Sequence, residues 1–131
     1  MTTQTMTDDI VELTVPADGA YLSVLRTATA GLAARLNFTL DEIEDLRIAV
    51  DEACALLLPA GRSATDTDLQ ARFDVGEDSL AVSISAPAGV SLPDQQSFAW
   101  RVLAALVNEV TAEGTGPLAT IRMLKRRAAS G

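Results

Sequence analysis

TLDEIEDLRIAVDEACALLL, residues 39–58, decides how this chain folds. It reads as one helix of about five turns. Thr39 and Glu42 have the T-x-x-E spacing of a capping box, and Phe38 and Ile43 flank it at the spacing of a hydrophobic staple. Asp41, Glu42 and Glu44 fall in the first turns, where the positive end of the helix dipole favours carboxylates. Pro59 and Gly61 end the run. Ile43, Leu46, Val50, Ala53 and Leu57 recur at helical steps and predict a buried stripe. Beside it, Asp45, Ala49, Glu52 and Leu56 form a half-polar stripe. Glu52 stands in an otherwise apolar half-helix, which is costly unless the carboxylate is solvated or paired. It belongs either to the rim of a solvated face or to the lining of a pocket.

Before this helix, Asp18 or Gly19 opens another that runs to about Leu36. Its apolar stripe is Leu22, Leu25, Thr29, Leu32 and Leu36, with Arg26 off the stripe and Asn37 as a stop. The two helices follow so closely that they are expected to pack together. Earlier still, Val11, Leu13 and Val15 alternate with polar residues as a strand stopped by Pro16. Residues 1–9 read as a loose tail.

After the central helix comes a polar loop, and then Leu69, Ala71, Phe73 and Val75 alternate as a strand. Gly76-Glu77-Asp78 turns the chain into a returning strand with Leu80, Val82 and Ile84. The pattern breaks at Ala86 and a loop continues to Gln96. Asp94 or Ser97 caps the next helix, whose apolar face is Phe98, Val102, Leu103, Leu106, Val107 and Val110, with Trp100 in the core. Ala119 to Leu124 make a last strand. From about Arg126 the chain reads as a tail, the domain being taken as residues 10–127. The order β-α-α-β-β-α-β predicts an α+β two-layer sandwich: a mixed or antiparallel sheet covered on one face by three helices.

The totals narrow the function. The chain has 131 residues, enough for one domain with a modest core. A net charge of −8 makes nucleic acid an unsuitable direct partner, since phosphate binding needs a basic surface. No apolar run suits a membrane span, and the polar, acidic start suits no signal peptide. Cys54 is the lone cysteine and there is no histidine, which argues against a disulfide framework, a zinc site or a Cys–His nucleophile and fits a reducing cytoplasm. No metal site is expected from the residues alone.

Three stretches together resemble a known family. IAVDEA at 48–53 is similar to the N-box helix of the GHKL (histidine-kinase-like, Bergerat) ATPase fold. YLSVLR at 21–26, and ALVNEV at 105–110 followed by a strand ending in LKRR, resemble the serine-kinase anti-sigma factors of the RsbW/SpoIIAB type, most of all an actinobacterial branch. The resemblance covers about Ile10 to Arg127. It implies an N-box E-x-x-x-N whose Glu is the general base and whose Asn ligates magnesium, so Glu52 matches the base and Leu56 stands at the metal ligand. Leucine offers no oxygen to a hard cation. It implies a D-x-G-x-G motif for adenine, at whose positions stand Ala86, Ala88 and Val90. It implies a phosphate-cradling G-x-G at the late helix, where Ser97 and Ala99 stand. The lid between these two motifs is also short.

Hydrogen bonds to charged groups contribute roughly 1.5–3 kcal/mol each, so losing the adenine contact and the metal ligand costs on the order of a thousandfold in Kd. The resemblance therefore implies a degenerate member. It would sequester an alternative sigma factor of the stress or sporulation type and be released by a STAS-domain anti-anti-sigma antagonist. No cofactor is expected, and Glu52 would be vestigial. Arg26 matches a partner-interface arginine of the family, and also reads as an ordinary solvated side chain. A homodimer through the edge near the first strand is implied as well. The alternatives are an active serine-protein kinase using ATP and magnesium, and a dimeric signalling module with no sigma partner.

Overall fold

The computed structural model describes residues 9–58, 68–87, 94–114 and 117–128. Strand β1 (Asp9–Pro16) leads through a single 3-10 turn at Gly19–Tyr21 into α1 (Leu22–Arg35) and α2 (Leu40–Leu57). Strands β2 (Asp68–Val75) and β3 (Ser79–Pro87) form the central hairpin. Helix α3 (Phe98–Leu106) precedes β4 (Glu109–Glu113) and β5 (Leu118–Arg126). Among the described residues the sheet has five strands in the order β1-β2-β3-β5-β4, and every neighbouring pair is antiparallel. The predicted α+β sandwich with three helices is present, and its sheet is wholly antiparallel.

Alternation along the strands fixes which face the helices cover. Leu69, Ala71 and Phe73 of β2, Leu80, Val82 and Ile84 of β3, and Ala119, Ile121 and Met123 of β5 are buried. Gln70, Arg72, Ser83, Ser85, Thr120 and Arg122 point the other way, onto an open polar face. Helix α2 packs against α1, α3, β3 and β5, which explains why Leu46, Ala49, Val50, Ala53, Cys54 and Leu57 are all buried. Ile43 is half-buried at the edge of that stripe.

The start of α2 is as its sequence predicts. Thr39 Oγ1 accepts from the Glu42 N–H at 3.1 Å, and Glu42 Oε1 accepts from the Thr39 N–H at 2.8 Å. Asn37 ends α1 in the left-handed region at φ 62°, a conformation that asparagine tolerates better than most side chains.

Four expectations need correction. Helix α3 stops at Leu106. Val107 and Val110 lie beyond it, the latter in β4, where Glu109, Thr111 and Glu113 alternate with Val110 and Ala112 at the strand period. The side chain of Asn108 accepts from the Arg126 N–H at 2.8 Å and fixes that turn. Phe98 is 82% exposed rather than packed, because it is the first residue of α3 and points off its end. Ala86 belongs to β3, paired with Ala119.

Residues Arg126, Arg127 and Ala128, expected to begin a tail, are bound into the fold. Lys125 Nζ donates to the Leu106 carbonyl at 2.8 Å and lies 3.5 Å from Asp45. Arg127 donates to the Leu36 carbonyl at 2.9 Å, and the Ala128 N–H donates to Glu42 Oε2 at 2.7 Å. Cations thus meet the C-terminal carbonyls of α1 and α3, where orphan acceptors and the negative dipole end favour them.

Replacing Thr39 by Ala is expected to cost about 1 kcal/mol in urea unfolding, as for other lost N-caps. The Thr39 N–H, with help from the Ala128 N–H, holds the Glu42 carboxyl below its ordinary value of 4.5. A lowered folded-state value stabilises the fold above the unfolded value and loses that effect as pH falls through the lowered one. Glu42→Gln is therefore expected to be less stable than the parent at pH 7, with the gap closing below about pH 4; a constant gap across a pH series of melts would contradict this.

Candidate functional site

The residues singled out by the sequence fall on two sides of α2. Glu52 lies on the flank shared with Asp45, Ala49 and Leu56, the side on which Asp45 meets Lys125 of β5. Glu52 is half-buried, and among the described residues its carboxylate has no hydrogen bond or ion pair. One helical turn on, Leu56 is half-buried and packs against the core with its hydrocarbon. Ala86 is 1% exposed, its methyl turned into the core between the sheet and the helices. Ala88, Val90 and the short lid lie outside the described residues.

The start of α3 is closed by its own chain. Ser97 is the N-cap, and its Oγ accepts from the Trp100 N–H at 3.2 Å. Asp94 accepts from the Gln96 N–H at 2.8 Å through its carboxylate and from the Ser97 N–H at 2.9 Å through its carbonyl. Ala99 is half-buried in the first turn. A hydroxyl thus answers one N–H in the first turn of α3 where a phosphate would need it, and the Asp94 carboxylate, bound just before the helix, adds like charge. Among the described residues no bond joins Ser97 or Asp94 to Glu52. No group of His, Cys, Asp or Glu among the described residues has the arrangement of a metal site. Leu56 and Ala86, at the positions that the resemblance implies for the metal ligand and the adenine contact, carry only hydrocarbon and so do not fit a magnesium nucleotide there.

Arg26 is on the other side of the helical hairpin. Its Nε donates to Asp51 Oδ1 at 2.8 Å, so the arginine is half-buried and paired rather than freely solvated. Arg47, one turn back along α2, donates through Nη1 to Glu44 at 2.7 Å. Between α1 and α2 these residues border an open groove of about 290 Å³, with Ser23, Thr27 and Ala30 on one wall and Ile43 and Arg47 on the other. The sequence analysis missed Asp51 and Arg47. Arg26 and Asp51 are 25 positions apart, and only the antiparallel pairing of α1 with α2 brings them together. The acidic run at residues 41–45 is partly used within the chain, by Ala128 and Lys125.

No protein-family model matches the chain. Curated relatives do. The chain is 40% identical over 78 residues to the serine-protein kinase RsbW of Bacillus subtilis, covering 59% of this chain and 49% of that protein. It is 35% identical over 86 residues to the RsbW of Bacillus pumilus, covering 63% of this chain and 53% of that one. Over these stretches the chain is similar to RsbW serine-protein kinases. It spans about half the length of the curated relatives it matches. The fold agrees: a crystal structure of the RsbU and RsbW domains of the Mycobacterium tuberculosis protein Rv1364c superposes with a TM-score of 0.69 at 15% identity, covering 93% of this chain and 33% of that one. No helix among the described residues is long and apolar enough to cross a membrane.

Cys54 is fully buried in the core, and desolvation pushes its thiol up to about 12. The thiolate is the reactive form. Labelling of the native protein with a thiol-specific disulfide reagent is expected to follow the global unfolding rate, and fast labelling without unfolding would contradict the burial.

Proposed function

We propose that this RsbW-type chain is a partner-binding regulator whose nucleotide chemistry has been lost. It sequesters an alternative sigma factor and releases it when a STAS-domain antagonist competes for the same surface. The observation that carries the loss is the self-capped start of α3, where Asp94 and Ser97 occupy donors. Leu56 and the core-facing Ala86 act in the same direction. The RsbW relationship supports the partner class. Without phosphate transfer, release follows from relative affinities and partner concentrations alone. Such exchange belongs in the cytoplasm, where sigma factors act.

The same reading takes the protein as a homodimer. Strand β1 is a free edge eight residues long, whereas the opposite edge β4 has five residues and carries Glu109 and Glu113. Both edges carry two carboxylates, Asp9 and Glu12 on β1, and the longer edge is the better template for a second strand.

Titration calorimetry of the purified chain with Mg-ATP and Mg-ADP is expected to give no heat at millimolar nucleotide, with no thermal shift. Co-expression with the sigma factors of its source organism is expected to recover one of them. Micromolar, magnesium-dependent binding together with phosphate transfer to a serine of a STAS partner would instead establish the serine-protein kinase that the curated relatives are named for, with Glu52 as its base. Recovery of no sigma factor would remove the proposed partner.

A further inference from the structure

The basic residues near the chain end are attached in two different ways. Lys125 and Arg126 lie inside β5, where they pair with Leu80 and Ser79 of β3. Strand β4 lies along the other side of β5, and Arg126 also meets Glu109 at 2.7 Å. Lys125 therefore reaches the last carbonyl of α3 from a strand held on both sides.

Arg127 and Ala128 lie past the last pair of that ladder. Among the described residues three hydrogen bonds hold them. The Arg127 N–H donates to the Asp78 carbonyl in the β2–β3 turn at 2.7 Å. Its guanidinium donates to the Leu36 carbonyl at the end of α1, and the Ala128 N–H donates to Glu42 Oε2 at the start of α2. Two of the three bonds thus land on the corner that joins α1 to α2. That corner is otherwise closed by short-range bonds. The N–H groups of Asn37 and Phe38 donate back to Ala34 and Ala33, and Thr39 and Glu42 cap each other.

We infer that Arg127 and Ala128 form a releasable strap over the α1–α2 corner, and that this corner opens while the sheet and the end of α3 stay closed. Freeing Lys125 means breaking the β5 ladder, whereas freeing the strap breaks no strand pair. Arg127 is half-buried and Ala128 exposed, so water answers the groups that let go, and each bond contributes little net. Proteins open in units of unequal free energy, and a unit held by few bonds near solvent opens first. Glu42 makes the opening cooperative. One of its oxygens takes the Thr39 N–H and the other takes the Ala128 N–H, so a shift of this carboxylate disturbs the cap and the strap together. Arg127 adds a cation at the negative end of the α1 dipole, which makes it the stronger of the two attachments. The helical hairpin can then yield without loss of the sheet beneath it.

Native-state hydrogen exchange of the full chain, followed amide by amide, tests this. Arg127→Gln is expected to speed exchange about tenfold at Asn37, Phe38, Thr39 and Ile43. Val82 and Ile84 in β3 and Val107 after α3 are expected to keep the parent rates. Arg127→Lys retains a cation at the end of α1 and is expected to restore most of the protection. Ala128→Pro removes only the donor N–H and is expected to speed Thr39 and Glu42. Lys125→Met is expected to speed exchange in the sheet and the helices alike. Equal acceleration of the corner, β3 and α3 in Arg127→Gln would show that the strap lets go only on global unfolding, and would overturn the inference. So would an unchanged corner in that variant, or an effect of Lys125→Met confined to the corner.

Discussion

Two helices end on the last strand. Lys125 closes the carbonyl end of α3 at Leu106, and Arg127 closes that of α1 at Leu36. The next residue, Ala128, takes the second oxygen of the glutamate that caps α2. Unpaired carbonyls at helix ends must find a donor, and cations there also meet the negative end of the dipole. One basic run therefore sets the positions of all three helices over the sheet.

Much of the architecture was legible because it is written in local periods. The capping box of α2, the asparagine stop after α1 and the β2–β3 hairpin each depend on residues within a few positions of one another. Strand β4 was hidden for a physical reason. Val107 and Val110 are three apart, a spacing that suits a helix, while the strand period shows only over Glu109–Glu113. The end of the helix is decided by pairing with β5, which is remote in sequence. Phe98 was misread because periodicity does not say where a helix begins relative to its neighbours.

The candidate site was legible in part. For Glu52, Leu56 and Ala86 the geometry adds what they touch: core for Leu56 and Ala86, no described partner for Glu52. The self-capping of α3 was half-visible, since both Asp94 and Ser97 are good capping residues and only the structure shows that both are used. The Arg26–Asp51 pair was invisible, because it exists only after two helices have docked. Packing carries the fold, and the polar atoms of a site are few enough that it does not depend on them.

The strand order has a consequence in time. β2 and β3 are joined by a three-residue turn, Gly76–Asp78, and meet at once. β1 pairs with β2 in a register that matches Asp9 with Val75, so the whole helical hairpin lies inside the loop that their pairing must close. Long loops cost more entropy to close than short ones, and contacts between distant segments form late. An edge strand that joins late, and is held along one side only, is also the part of the sheet whose departure disturbs the least. The route by which this chain assembles thus leaves its longer free edge until the helices are already in place.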